Sequence, residues 1–345
     1  MKRLSFLLAF MLITVLGFTQ QRYIALHSNG EVSFFGHPTT AFNDAYTAAQ
    51  TGDTLYLPGG LFAPPANFAK GLTIYGAGHY PDSTQATGKT LINGNVILKT
   101  GADNLYLEGI EITGNFQVGT STTSTDSVEN ITVKRCKING AISCQTNSSV
   151  DRAAFIQSVI VGNINFLACQ NMAVLNCITF GNITYSNQNV FENNVFINNS
   201  YSSANSYALI GRSNNNSILN NIFIRNENIM VSGEGNTVKN NIRIAGYGDT
   251  WGTNGIISGN YSVARDDLFD NQSGWAFDYS HDYHLQSPET YPGTDGTQVG
   301  IYGGTYPYKE GAVPFNPHIS TKFVAPQTNS SGELQIEINV NAQDE

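Results

Sequence analysis

A short strand–turn–strand phrase recurs through the middle of the chain, and this repeat constrains the fold more than any other feature. Successive copies lie about 22 residues apart, a period typical of leucine-rich repeats and of parallel β-helices. The copies have no regular Leu skeleton and alternate apolar with polar residues, which indicates strands. We therefore predict an all-β solenoid of parallel sheets in which each coil contacts only its neighbours. The copies cover residues 105–110, 132–138, 155–159, 174–178, 190–195, 218–222, 238–242 and 257–261.

Asparagine fills the turn of the later copies. Asn tolerates the left-handed backbone that a tight turn needs, and its short amide can bond the local backbone. Stacked coils should place these amides in a hydrogen-bonded ladder along the solenoid. The first copy aligns on Gly109 at the same position. The predicted ladder consists of Asn194, Asn221, Asn241 and Asn260, preceded in earlier coils by Cys136, Ser158 and Cys177.

A second register supports the first. The motifs GAI at 140–142, GNI at 162–164 and GNI at 181–183 fall at equal distances after their turn residues. Because the spacing is constant, Ile142, Ile164 and Ile183 should point inward and stack on one another. This stack would fill a narrow apolar core.

The cysteines do not suggest a disulfide framework, because they cluster in mid-chain without a CxxC pair. We predict that they are small buried apolar residues. A bridge between Cys144 and Cys169 remains an alternative. A zinc site is disfavoured because no His lies near them in the sequence.

The first twenty residues are typical of a signal peptide. Lys2 and Arg3 precede an apolar run over 4–18, which is shorter than the roughly 20 residues that span a bilayer. We expect residues 1–20 to be removed and the protein to be periplasmic, cell-surface or extracellular, with no transmembrane segment after cleavage. A short membrane anchor is the alternative. A formal net charge of −9 argues against nucleic-acid and anionic-membrane partners, which require a basic face.

Both ends of the solenoid need a cap, because an open end exposes unpaired strand edges. Residues 39–49 have apolar positions at helical spacing and predict a capping helix. We place the solenoid with this cap at 21–264, with coils from about 54, and a closing segment at 265–345. Leu334, Ile336, Ile338 and Val340 alternate with polar residues, which predicts a strand packed on the rod.

Several motifs together resemble a known superfamily. They are GDTLYLP at 52–58, LTIYGAG at 72–78, the Asn-rich coils, DYHLQSP at 282–288 and GIYGG at 300–304. Over about residues 22–320 the chain resembles the right-handed parallel β-helix, or pectin-lyase-like, superfamily. The resemblance implies a right-handed solenoid and chemistry on carbohydrates. It does not imply one activity, because this scaffold carries many.

The middle of the predicted rod carries almost no titratable side chains. Hydrolases of the superfamily use paired Asp residues on neighbouring coils and a Gly-His-Gly turn, and its lyases use an acidic calcium cluster with a basic residue. Residues 153–224 contain one acid, Glu192, and one base, Arg212. General acid–base catalysis requires a titrating partner. The sequence therefore predicts that this region has no catalytic centre.

Charged residues return after the last coil. Arg265, Asp266 and Asp267 are the candidates for a catalytic role, and Asp266, Asp267 and Asp270 are spaced to hold Ca²⁺. A solvated turn that ends the solenoid is the alternative. His281 and His284 are interpreted as part of the closing element.

Two long spacings mark insertions near 119–127 and 198–206. Aromatic rings with amide and hydroxyl neighbours suit sugars, which stack on the rings. Candidate ligand-binding residues are Tyr201, Tyr207, Tyr247 and Trp251. Plain surface loops are the alternative.

We therefore expect a secreted β-helix without a catalytic centre that binds, or is presented at, a polysaccharide-rich surface. One alternative is a polysaccharide lyase or glycoside hydrolase with an atypical acidic site near 265–270. Another is a purely structural or adhesive surface protein.

Overall fold

The computed structural model describes residues 22–36, 39–199 and 208–342. The predicted signal peptide at 1–20 and the candidates Tyr201 and Tyr207 lie outside these ranges. Within the ranges, no helix combines the length and the apolar character that crossing a bilayer demands.

The described chain is built from short strands with one α-helix, α1 (Ala41–Ala48), and 3-10 turns at Asp82–Thr84, Arg265–Asp267 and Pro288–Thr290. The strands of the first half are β1 (Ile24–Ser28), β2 (Glu31–Phe35), β3 (Thr54–Tyr56), β4 (Gly60–Phe62), β5 (Thr73–Tyr75), β6 (Thr90–Ile92), β7 (Val96–Leu98), β8 (Tyr106–Glu108), β9 (Glu111–Ile112), β10 (Phe116–Val118), β11 (Ser127–Lys134), β12 (Lys137–Ile138), β13 (Ile142–Cys144), β14 (Ser149–Ile156), β15 (Val159–Ile160), β16 (Ile164–Asn165) and β17 (Cys169–Gln170). Those of the second half are β18 (Ala173–Leu175), β19 (Ile178–Thr179), β20 (Ile183–Thr184), β21 (Val190–Glu192), β22 (Val195–Ile197), β23 (Ile210–Gly211), β24 (Ser217–Leu219), β25 (Ile222–Ile224), β26 (Ile229–Glu234), β27 (Thr237–Lys239), β28 (Ile242–Ile244), β29 (Thr250–Thr253), β30 (Ile256–Ser258), β31 (Tyr261–Val263), β32 (Phe269–Asn271), β33 (Asp282–Leu285), β34 (His318–Val324) and β35 (Ile336–Asn341).

Most of these strands form three long sheets. In the described chain, sheet A has 13 strands in the order β2-β1-β3-β5-β8-β11-β14-β18-β21-β24-β27-β30, with β17 beside β14. Sheet B has 10 strands, from β4 to β31, and sheet C has 8, from β7 to β29. From β5 onward the chain visits sheets A, B and C in turn and returns one strand further along each, always in parallel register. This all-β arrangement is compatible with the predicted β-helix.

The predicted repeats and the inward register are confirmed. Each copy runs from a strand of sheet A through the turn that leads to sheet B. Ile142 pairs with Ile164, which pairs with Ile183, and all three are buried. Gly162 permits the close approach of coils, because a Cβ there would lie 2.2 Å from the Gly140 carbonyl oxygen.

The Asn ladder is confirmed as a set of hydrogen bonds that are buried except at Asn260, where the last one is partly buried. The backbone N–H of Asn194 donates to Asn221 Oδ1 at 2.9 Å, that of Asn221 to Asn241 Oδ1 at 2.8 Å, and that of Asn241 to Asn260 Oδ1 at 2.9 Å. The same file continues toward the N-terminus through Cys177, Ser158 and Cys136. We call this line of side chains the inner file.

The left-handed residue is one position earlier than we predicted. Positive φ angles occur at Asn193 (56°), Asn220 (59°) and Asn240 (53°), each directly before its ladder residue. Gly109, with φ 71°, also has this left-handed backbone, so the inner-file position of the first copy is Ile110. The ladder residues can point inward because their predecessors make the bend.

A helix forms near the N-terminal end, within residues 39–49, where the sequence predicts one. Phe42 and Tyr46 of α1 pack on Phe68, with ring centroids 6.0 and 5.4 Å apart. At this end of sheet A, β2 pairs antiparallel with β1, and β1 pairs antiparallel with β3.

The outer face of sheet B is covered by the closing segment, and this creates a second core. In β22, Phe196 packs inside the solenoid, whereas Val195 and Ile197 pack outside it against the segment. A strand buried on both faces is continuously apolar. The segment contributes Leu268, Phe269, Tyr283, Leu285, Val299, Ile301 and Tyr308 to this core.

The left-handed turn residues hold the closing segment along the rod. Their side chains donate to carbonyl or hydroxyl oxygens of residues 292–313, one coil after another, and we call them the outer file. Partner numbers fall as coil numbers rise, so the segment runs back along the solenoid. The pairs are Arg135 with Val313, Gln157 with Pro307, Asn176 with Gly303, Asn193 with Gly300, Asn220 with Thr294, and Asn240 with Pro292.

The last predicted strand forms, but its predicted packing on the rod is wrong. β35 pairs antiparallel with β34, and all six of its residues are exposed. Its apolar positions therefore face solvent in this structure.

The four cysteines are buried free thiols, which agrees with their interpretation as core residues.

Candidate functional site

A cleft of about 410 Å³ opens between the 3-10 turn at Asp82–Thr84 and the closing segment. Its lining combines aromatic hydroxyls with carboxylates. The tyrosines are Tyr80, Tyr279, Tyr283, Tyr302 and Tyr308, and the carboxylates are Asp82, Asp282 and Glu310. We call this feature the tyrosine cleft.

Ring contacts fix the walls of the tyrosine cleft. Tyr80 meets Tyr279 edge to face at 4.8 Å, and its hydroxyl lies 2.9 Å from the Tyr308 hydroxyl. Burial raises the pKa of Tyr80 to about 12, so its phenol stays protonated at neutral pH. Such edge-to-face pairs hold aromatic rings in defined orientations. The lining is thus preorganised.

An ion cluster lies beneath Tyr279. On the outer face of sheet B, Glu111 accepts hydrogen bonds from Lys89 at 2.8 Å and Lys137 at 3.3 Å. Burial raises the pKa of the Glu111 carboxyl, but the hydrogen bonds from Lys89 and Asn139, together with the charges of Lys137 and Lys89, lower it overall. The Lys137 ammonium also lies 5.1 Å from the centre of the Tyr279 ring. The cluster therefore supports the ring from below.

His79 adds an uncharged group to the same support. It is fully buried, and its Nδ1 lies 3.4 Å from the Tyr279 hydroxyl. Burial lowers the pKa of His79 to about 3. The imidazole is therefore neutral at neutral pH and adds no positive charge beneath the cleft.

One rim of the tyrosine cleft gathers Asp282, His284 and Glu310. His284 Nδ1 lies 2.7 Å from Asp282 Oδ1 and 3.9 Å from Glu310 Oε1. The His284 ring stacks on Tyr302 with centroids 3.9 Å apart and planes 8° apart. The Tyr302 hydroxyl donates to Glu310 Oε1 at 3.1 Å. The four side chains thus form one connected group.

The rim carboxylates are suited to accepting hydrogen bonds. The His284 backbone N–H and side chain lower the pKa of Asp282, while its slight burial acts in the opposite direction. A general acid for glycoside cleavage needs a raised carboxyl pKa. Asp282 instead stays ionised at neutral pH.

Tyr247 and Trp251, the two predicted sugar-binding aromatics within the described ranges, do not line this cleft. Trp251 is buried in the solenoid core with its ring 5.2 Å from Phe223, so it cannot stack on a sugar, and that prediction is wrong. Tyr247 is exposed in the turn after β28, where its carbonyl accepts a hydrogen bond from Arg243.

The charged residues after the last coil are also arranged differently from the prediction. The Arg265 guanidinium lies 4.4 Å from the centre of the Trp275 ring and donates to the Gly274 carbonyl. Within the described ranges, the carboxylates of Asp266, Asp267 and Asp270 do not converge within 4.8 Å as a group. Arg265 thus fastens a surface turn, and the geometry gives no support to a calcium ion at these residues.

The charged pair in the middle of the rod is split between faces. Glu192 lies in β21 of sheet A, whereas Arg212 follows β23 of sheet C and lies over the Tyr185 ring at 5.3 Å. Burial, followed by the charge of Asp295, raises the pKa of Glu192. The two side chains therefore do not form an acid–base pair.

A second, more polar groove of about 540 Å³ lies at turns between sheets C and A. Its amides already bond neighbouring coils, since Asn214 Oδ1 accepts the Glu234 backbone N–H at 2.8 Å. It has no aromatic lining, so it offers a ligand less apolar contact than the tyrosine cleft does. The other lining residues are Asn215, Gly233, Gly235 and Asn254.

Sequence reasoning missed the tyrosine cleft because its walls are far apart in the chain. Tyr80 and Tyr308 are 228 residues apart. The available signal was the density of Tyr, His and acidic residues between 279 and 310, which we interpreted as a closing element.

Comparisons with protein-family models, curated proteins and solved structures give no match to this chain.

Proposed function

We propose that this protein is a right-handed parallel β-helix of the pectin-lyase-like type that is secreted and binds a glycan in the tyrosine cleft without cleaving it. The observation that carries the proposal is the lining, in which five tyrosines and three carboxylates meet in one concave site. Its volume falls within the range of ligand pockets, which hold about 300–1,000 Å³.

The chemistry of the lining suits a sugar. Aromatic faces stack on the apolar faces of pyranose rings, and phenol and carboxylate oxygens bond the hydroxyls at the ring edge. The ring contacts and the ion cluster beneath Tyr279 fix these groups before a ligand arrives. Preorganised groups lose less entropy on binding.

The charge of the lining selects among glycans. Asp82, Asp282 and Glu310 face the cleft, whereas Lys89 and Lys137 lie beneath Tyr279 bonded to Glu111. Like charges repel at short range, so a polyuronate or sulfated chain is disfavoured. We therefore propose a neutral glycan as the ligand.

A glycoside hydrolase is the second candidate, and one distance favours it. Oxygens of Asp282 and Glu310 lie within 4.8 Å of one another. Retaining glycosidases place two carboxyl groups about 5–5.5 Å apart. The lowered pKa of Asp282 and the exposure of both carboxylate side chains favour binding over catalysis.

The test is a panel of neutral and acidic polysaccharides with the full chain, scored for both retention in affinity gels and release of reducing ends. Binding predicts retention by a neutral glycan with no new ends. Cleavage that is lost in Asp282→Asn would establish the hydrolase instead. If neither retention nor cleavage occurs, the structural or adhesive alternative replaces both.

A further inference from the structure

The rim of the tyrosine cleft has the ligand set of a metal site. Asp282, His284 and Glu310 each present one ligand atom, and these atoms lie within 4.8 Å of one another. Asp282 and His284 are two residues apart in β33 and project from the same face of the strand, since side chains alternate. Glu310 reaches the same point from a later part of the closing segment.

The spacing matches the size of a tetrahedral first-row metal. Bonds of about 2.0–2.2 Å to N and O ligands place neighbouring ligand atoms roughly 3.3 Å apart. The observed separations from His284 Nδ1 are 2.7 Å to Asp282 and 3.9 Å to Glu310, on either side of that value. Small side-chain rotations of these exposed residues would equalise them.

Outer contacts orient the ligand atoms. Tyr302 stacks flat on the His284 ring and donates its hydroxyl to Glu310, so one residue positions two of the three groups. Partners of this kind fix ring orientation and carboxylate direction in metal sites. A plain His284–Asp282 hydrogen bond would not require Glu310 to face the same imidazole nitrogen.

We propose that Asp282, His284 and Glu310 bind one divalent first-row transition-metal ion, of which Zn²⁺ is the best representative. An imidazole nitrogen with two carboxylates is a ligand set for such ions. Calcium is disfavoured, because it takes six to eight oxygen ligands and the group offers one nitrogen and two carboxylates. The inference goes beyond glycan binding and does not depend on it.

The experiment is calorimetric titration of Zn²⁺ alone into chelator-treated full chain, without glycan. We expect one ion per chain, an affinity at least about 10-fold weaker in His284→Phe and in Glu310→Gln, and no displacement by excess Ca²⁺. His284→Phe keeps an aromatic ring on Tyr302, and Glu310→Gln keeps an acceptor for its hydroxyl. His27→Phe is the matched control, because this exposed histidine also lies beside a tyrosine ring, 5.0 Å from Tyr56.

Two results would overturn the proposal. One is the absence of Zn²⁺ binding by the intact chain. The other is binding that keeps its affinity in both rim variants, which would place the metal elsewhere. Because no glycan is present, either result leaves the polysaccharide panel to judge the proposed function separately.

Discussion

The inner and outer files occupy adjacent positions of the same turn, yet they do different work. Inner-file side chains bond the next coil, so Asn221 accepts the Asn194 N–H and donates to Asn241. Outer-file side chains bond a distant part of the chain, as Asn193 does with Gly300. The first file stabilises the solenoid along its length, and the second fastens the segment that builds the tyrosine cleft. Of two adjacent residues in one turn, one therefore bonds the next coil and the other bonds the segment that lines the cleft.

The outer file is most sensitive at its buried start. Arg135 and Glu108 have fully buried side chains 3.2 Å apart. Arg135→Met would leave a buried carboxylate without its cation, which costs about 3–5 kcal/mol of unfolding free energy. Urea unfolding measures this loss. The double variant Arg135→Met/Glu108→Gln should recover much of it, and a double variant no better than the single would contradict the explanation.

The inner file should show the next largest effect. Asn221 is fully buried and makes hydrogen bonds to Asn194, Phe191 and Asn241. Asn221→Ala would strand several buried polar groups, at a cost of about 3 kcal/mol. Thermal unfolding followed by circular dichroism measures this loss. If the unfolding temperature falls no further than in an Asn→Ala variant at an exposed position, the ladder does not stabilise the fold.

Acid should weaken the contact between rod and segment. Burial lowers the pKa of His79 from 6.5 to about 3, so the unfolded chain binds a proton that the folded chain does not. Stability is therefore full above pH 6.5 and falls as the pH drops toward 3. The loss from this residue between pH 7 and 5 is about 2 kcal/mol.

The variant His79→Gln removes the contribution of His79 to the pH dependence of stability. Its unfolding free energy should depend less on pH than that of the parent chain over the same interval. If the two chains show equal pH dependence in urea titrations at pH 7 and 5, the pKa of His79 in the folded chain is not lowered, and the explanation is contradicted.

The end of the outer file should matter least. Asn240, which is half-buried, donates to the Pro292 carbonyl at 2.9 Å in a solvent-exposed hydrogen bond. Asn240→Ala should therefore cost only about 0.5–1 kcal/mol. Hydrogen exchange of residues near 292 is the more sensitive readout, and a loss as large as that of Asn221→Ala would erase the contrast between the two files.

The same contrast explains what the sequence could predict. The repeats, the ladder and the stack through Ile164 follow from local patterns, because each coil contacts only its neighbours. The left-handed residue was misplaced because Asn193 and Asn194 are chemically identical neighbours, and only geometry distinguishes them.

The candidate site follows a different rule. Glu310 and Tyr80 come together only because the closing segment returns along the rod. The repeat pattern of the sequence does not predict the path of that segment. Trp251 was misassigned for a related reason, since its depth depends on Phe223 in another coil. On the outer face of sheet B, Glu111 and Lys137 are followed one coil later by the apolar Val159, which packs in the second core. The change from charged to apolar residues is visible in the sequence, but the sequence does not show which residues cover the apolar positions.

The most direct test of the account is retention by a neutral polysaccharide in affinity gels, comparing Tyr279→Ala with Tyr247→Ala. Both remove one tyrosine ring, but Tyr279 lines the tyrosine cleft and Tyr247 does not. Thermal unfolding verifies that both variants fold. We predict that retention is lost in Tyr279→Ala and unchanged in Tyr247→Ala. Retention that survives the first change, or fails only in the second, would contradict it.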